Sequence, residues 1–161
     1  MKNSLEFPER IYTLEEFRKA RECVEGGYKH RLRVVGSPAF KGKVREMLSL
    51  IRKAGYYNYL RTYIRLIMEI DGVSQLREAE AIIWLNIYMV KEAVEGARFI
   101  VQKAEQMRDY LSGEQYYERG ELNAVKKSVE FLQTLMEKRI DKRLRNKCEE
   151  TVRLWTKETV L

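Results

Sequence analysis

Apolar residues in this chain recur mostly three and four positions apart, the spacing that lines up one face of a helix. Phe40, Val44, Met47, Leu48 and Ile51 make one such stripe, opened by Ser37-Pro38 and closed by Gly55. Serine at the cap and proline at the first helical position is a strong start signal, since proline lacks an amide that the first turn cannot use. An earlier helix is predicted from Thr13, where Thr13-Leu14-Glu15-Glu16 forms a capping box, to Gly26-Gly27. Tyr56, Leu60, Tyr63, Ile67 and Ile70 predict another, ending at Asp71-Gly72. Ser74 then caps a segment whose run from Ala81 to Val90 is apolar nearly all round, the mark of a helix enclosed by others. Asn86 lies in that run and, once buried, must find hydrogen-bond partners. The stripe goes on through Val94, Ala97, Ala104, Met107 and Leu111 to Ser112-Gly113, with a bend or short break expected near Lys91 to Gly96. Leu122, Val125, Val129, Leu132 and Met136 follow, and Asp141 can cap a last helix that turns Leu144, Cys148, Val152 and Trp155 inward.

One segment breaks the helical rhythm. From Tyr28 to Val35, Tyr28, His30, Leu32 and Val34 alternate with Lys29, Arg31 and Arg33, a period of two. A lone strand has no ladder partner, so 28–36 reads as an extended connector in preference to a strand paired with another copy. The expectation is an all-α fold. It is a single domain over 1–161 with an N-terminal arm, 1–12, and about six helices around a central apolar helix at Gln75–Met89.

The chain has 161 residues, of which 45% are hydrophobic and 34% charged, a balance that excludes collagen-like and disordered classes. The longest apolar stretch falls short of the roughly 20 residues a membrane span needs. Residues 1–10 show no apolar leader. A soluble, cytoplasmic protein with no membrane partner is the expectation. Cys23 and Cys148 stand far apart and outside any C-x-x-C pair, so they read as reduced apolar residues. The scarcity of Asn, Gln and Cys beside abundant Glu, Lys and Arg is a composition found in heat-adapted proteins.

Catalytic chemistry is thinly represented. The one histidine, His30, lies between two cations and reads as a partly exposed connector residue. It has no second histidine for a zinc site and no G-x-S-x-G elbow for a triad. Gly36 to Lys43 lacks the Gly-Lys-Ser/Thr ending of a phosphate loop, although its amides could hold an anion at a helix start. No cofactor or metal is expected. Glu69, Asp71, Glu78 and Glu80 cluster in sequence around Gly72, which leaves metal-dependent carboxylate chemistry as a remote reading.

The net charge of +7 is unevenly spread. Residues 37–71 carry +4, against +2 for 1–36, −1 for 72–113 and +2 for 114–161. Within that stretch Lys41, Lys43, Arg52, Arg61 and Arg65 are interleaved with tyrosines, Tyr57 among them. Arginine for phosphate and tyrosine for base stacking suit a single-stranded nucleic acid. Lys138, Arg139, Lys142 and Arg143 begin a second basic cluster. Ten tyrosines, with Tyr57, Tyr110, Tyr116 and Tyr117 off the main stripes, also suit a protein interface. The preferred reading is a non-catalytic interaction or scaffold protein that self-associates as a homo-oligomer. Nucleic-acid binding through the 37–71 hairpin is the alternative.

Overall fold

In a computed structural model, which describes residues 6–113 and 119–159, six helices accompany a small mixed β-sheet. The all-α expectation is therefore wrong. The helices are α1 (Leu14–Glu25), α2 (Pro38–Lys53), α3 (Tyr57–Tyr63), α4 (Ala93–Ser112), α5 (Arg119–Met136) and α6 (Lys142–Thr159). The strands are β1 (Arg33–Val35), β2 (Leu66–Glu69), β3 (Gln75–Arg77) and β4 (Ile82–Leu85), in the order β1-β2-β4-β3. β1, β2 and β4 run parallel, and β3 is an antiparallel edge.

The local signals hold at three helix starts, while Ser74 precedes a strand and caps no helix. Thr13 caps α1 with a complete capping box, and Ser37 accepts the Phe40 amide at 3.2 Å. Asp141 accepts the Leu144 amide at 2.8 Å. The expected break near 91–96 is the start of α4, capped by Glu92. The 28–36 connector is paired over Arg33–Val35, with β2 of the same chain.

Residues 75–89 hold no helix. They form β3, a 3-10 turn at Glu78–Glu80, β4 and the loop leading to α4. β4, which lies between parallel β2 and antiparallel β3, is apolar on both faces, so it shares the all-apolar signature of an enclosed helix. Ile82, Ile83 and Trp84 favour the strand because β-branched and aromatic side chains fit a pleated surface. Asn86 is buried as expected. Its Nδ2 donates to the carbonyls of Asp71 at 2.9 Å and Gly72 at 2.8 Å, and its own amide donates to Ser74 Oγ at 2.7 Å. These bonds clamp the β2–β3 turn onto the end of β4.

The central element is α4 instead. It packs against α1, α2, α3, α5, α6 and β3, and Ala97, Ile100, Val101, Ala104 and Met107 are fully buried along it. Gly96 admits α2 to close range: a Cβ there would lie 2.5 Å from Met47 Sδ and 2.9 Å from Val90 Cγ1. Alanine would gain about 1 kcal/mol of helix propensity but overpack a site where about 1–3 kcal/mol is usual. Gly96→Ala is expected to lower stability by about 1 kcal/mol net, read as a lower urea midpoint at unchanged slope. No described helix is long and apolar enough to cross a membrane.

Candidate functional site

The sheet divides its side chains cleanly by face. Val34, Ile67, Ile83, Leu85 and Leu76 point toward the helices and join the core. The alternate positions form two rows across the strands. Arg33, Leu66, Ile82 and Arg77 make one, and Val35, Met68, Trp84 and Gln75 the other. None of Val35, Leu66, Met68, Ile82 or Trp84 packs into the core cluster. The period-two reading of 28–35 is right about orientation: Leu32 and Val34 face in, while Arg31 and Arg33 are exposed. Parallel strands are ordinarily covered on both faces. Here Leu66, Met68, Ile82 and Trp84 are half-buried yet stay out of the core cluster formed by the described residues, and the Arg77 guanidinium lies 4.5 Å from the centre of the Trp84 ring.

The basic residues singled out from sequence do not gather in one place. Arg61 Nε donates to the His30 carbonyl at 2.9 Å, while the His30 amide donates to the Arg61 carbonyl at 2.8 Å. Arg65 donates to the carbonyl of Glu9 at 2.8 Å and to that of Glu80. Both arginines thus tie the chain to itself. Tyr57 is half-buried, with Arg52 at 4.1 Å and Arg61 at 5.7 Å from its ring centre. Tyr56, Tyr59 and Tyr63 stack edge-to-face, Tyr56 also against Phe131, and Tyr59 donates its hydroxyl to Glu105. These rings are used in packing. Tyr110 is likewise half-buried and donates to the Ile11 carbonyl at 2.8 Å, whereas Tyr116 and Tyr117 lie outside the described residues.

Lys41, Lys43, Lys138, Arg139, Lys142 and Arg143 are exposed. Of these, Lys43 alone lines a groove of about 810 Å³, walled by α2 at Pro38, Arg45, Glu46 and Leu50 and by α6 at Leu144. Lys142, Arg143 and Lys147 line a smaller hollow, with Glu150, on the same half of α6.

The carboxylates near Gly72 are scattered. Glu69 ends β2 beside Leu85, but Glu78 follows Arg77, which pairs with Ile82 at the other end of β4. Among the described residues no three His, Cys, Asp or Glu side chains come together to hold a metal. Glu69 instead accepts the Ser37 amide at 2.8 Å. With Ser37 Oγ already taken by the Phe40 amide, two of the donors at the α2 start are occupied from within the chain. Gly36 makes this approach possible, since a Cβ there would lie 2.8 Å from Glu69 Cβ and 2.6 Å from Phe40 Cδ2. A hollow of about 260 Å³ remains beside them, lined by Lys43, Lys91 and Tyr88.

His30 is a correction. It is 2% exposed, wedged edge-on against Phe7 and Tyr28 at ring-centre distances of 4.5 and 5.0 Å. Its Nε2 has no hydrogen-bond partner among the described residues. Burial, reinforced by the Arg65 and Arg61 charges, pushes its pKa down to about 4.

Comparison with known proteins adds no analogy to this geometry. No family model, curated protein or solved structure matches the chain. The outward rows escaped the reading from sequence because each strand contributes only two positions to them. The one available signal was the alternation at 28–35, where the outward set already ran Arg31, Arg33, Val35.

Proposed function

We propose that this chain is an interaction module that docks protein on the uncovered face of its sheet. The observation that carries the reading is the pair of cross-strand rows whose apolar side chains stay out of the core. Tryptophan and methionine at the middle of such a patch are typical interface residues. Exposed Val73, Tyr88 and Met89 lie in the loops at the same end of the sheet as Val35.

Light scattering over a range of concentrations, with a hydrophobic fluorescent dye as second probe, tests this reading. Self-association through the face gives a dimer that Met68→Lys dissociates. A free face gives a monomer that binds the dye, and Met68→Lys removes that binding. A monomer whose dye response is nil, or is unchanged by Met68→Lys, contradicts the proposal.

Two hollows lined by cations favour a second reading, the binding of a polyanion: Lys43 and Arg45 line one on α2, and Lys142, Arg143 and Lys147 line another on α6. Arg61, Arg65 and Tyr57 would take no part. On this reading, binding of single- or double-stranded probes weakens linearly on a log–log salt plot, and Lys43→Glu with Arg143→Glu flattens the slope. Absence of any complex at about 50 mM salt, where phosphate contacts are strong, contradicts it.

A further inference from the structure

The dimensions and the rim of the open sheet face say what kind of partner it fits, given the reading of that face as an interaction surface. Four strands about 4.8 Å apart, each about four residues long, offer roughly 250 Å² in plan. A standard interface between two globular proteins buries about 800 Å² on each side. The face is therefore small for a lasting contact between folded domains. A single helix, about 10–12 Å across, covers it.

The rim is cationic. Arg31 and Arg33 stand at the β1 edge and Arg77 at the β3 edge, and no outward strand position is acidic. Two copies laid face to face would bring these arginines together, which disfavours a second copy as the occupant. Arg77 is held over Trp84, so its guanidinium donors border an apolar floor where a carboxylate pairs strongly.

The register gives a spacing as well. Arg33, Leu66, Ile82 and Arg77 lie in one row across the four strands. The two arginines are thus about 14 Å apart, three strand spacings. Along a helix that distance is about ten residues, and eleven residues make three full turns on one face. We propose that the face receives an amphipathic helix from another protein, lying along this row. Carboxylates about eleven residues apart meet Arg33 and Arg77, and apolar residues between them rest on Leu66, Ile82, Met68 and Trp84.

The test uses the full chain and two labelled 18-residue helical peptides, read by fluorescence anisotropy. One has glutamates at positions 4 and 15 with leucines at 7, 8, 11 and 12; its twin has lysines at 4 and 15. The glutamate peptide is expected to bind at least about tenfold more tightly, the scale of one or two charge-assisted hydrogen bonds. Met68→Lys is expected to abolish its binding with the circular dichroism spectrum unchanged. Arg33→Glu with Arg77→Glu should reverse the preference between the twins. Equal binding of the twins, or a lysine preference, overturns the acidic-helix inference and leaves the face as an interaction surface. A dimer that Met68→Lys dissociates does the same, by assigning the face to a second copy. Failure of both peptides on a monomer that still binds dye at the face overturns the inference alone. Failure of both on a monomer that binds no dye overturns the interaction reading with it.

Discussion

Replacing Arg98 by alanine is expected to lower the unfolding free energy by about 3 kcal/mol, the lower end of the range for breaking a buried ion pair. Arg98 is 2% exposed at the junction of α4, α5 and α6. Its Nε donates to Glu95 at 2.6 Å, and its terminal nitrogen reaches Gln102 at 2.5 Å and Ser128 at 3.1 Å. The guanidinium lies 3.6 Å from the centre of the Trp155 ring, and Trp155 Nε1 donates to the other Glu95 oxygen at 2.7 Å. Burial lowers the Arg98 pKa, and the Glu95 carboxylate works against that shift. Alanine would remove the charge, the stacking partner of Trp155 and a bond to α5 together. Glu95 keeps partial access to solvent, which softens the loss. Arg98→Met in combination with Glu95→Gln should cost less than the two single changes added, because each single change leaves a partner stranded. Urea unfolding of the four proteins measures this coupling, and strict additivity would show that the pair does not act as a unit.

This network illustrates what could and could not be read from the sequence. Thr13, Ser37-Pro38 and Asp141 were legible because a cap acts on amides within three residues. Arg98 was not, since it falls among the apolar positions of α4 and its partners Ser128 and Trp155 come from helices 30 and more positions away. The strands failed for a related reason. Three- and four-residue strands show too few alternations to be told from a helical turn, and the apolar run of β4 has the same composition as an enclosed helix. The pairing that sets Met68 beside Trp84 joins residues sixteen positions apart, with β3 between them in sequence. Arg61 and Arg65 look like a phosphate-binding pair on a helix face, but β2 begins at Leu66, and each side chain donates to backbone carbonyls, at His30 for Arg61 and at Glu9 and Glu80 for Arg65.

The acid side of the stability curve is expected to belong largely to His30. Its folded pKa, about 4, lies below the ordinary value of 6.5. The unfolded chain thus takes up the proton as pH falls through 6.5, while the folded protein resists it until about pH 4. Stability is unaffected by this residue above pH 6.5 and falls across the window between the two values. The loss amounts to about 3 kcal/mol, at about 1.4 kcal/mol per pH unit. Because Nε2 has no hydrogen-bond partner among the described residues, an apolar ring sacrifices little there. His30→Phe should match the wild type at pH 7.5 and exceed it by about 2–3 kcal/mol at pH 4.5. Parallel pH profiles for the two proteins would show that His30 does not carry the acid sensitivity.

Whether the sheet holds one face in reserve for a partner is tested most directly by comparing Ile67→Lys with Met68→Lys in urea. The residues are neighbours on β2, but Ile67 is fully buried against the helices and Met68 stands in the outward row. Lysine at 67 is expected to cost more than about 4 kcal/mol, the scale of an unpaired charge forced into a core. At half-buried Met68 the expected cost is about 1–2 kcal/mol, well short of that at 67. Comparable losses at both sites would mean that the outward face supports the fold itself, and would contradict its assignment to a partner.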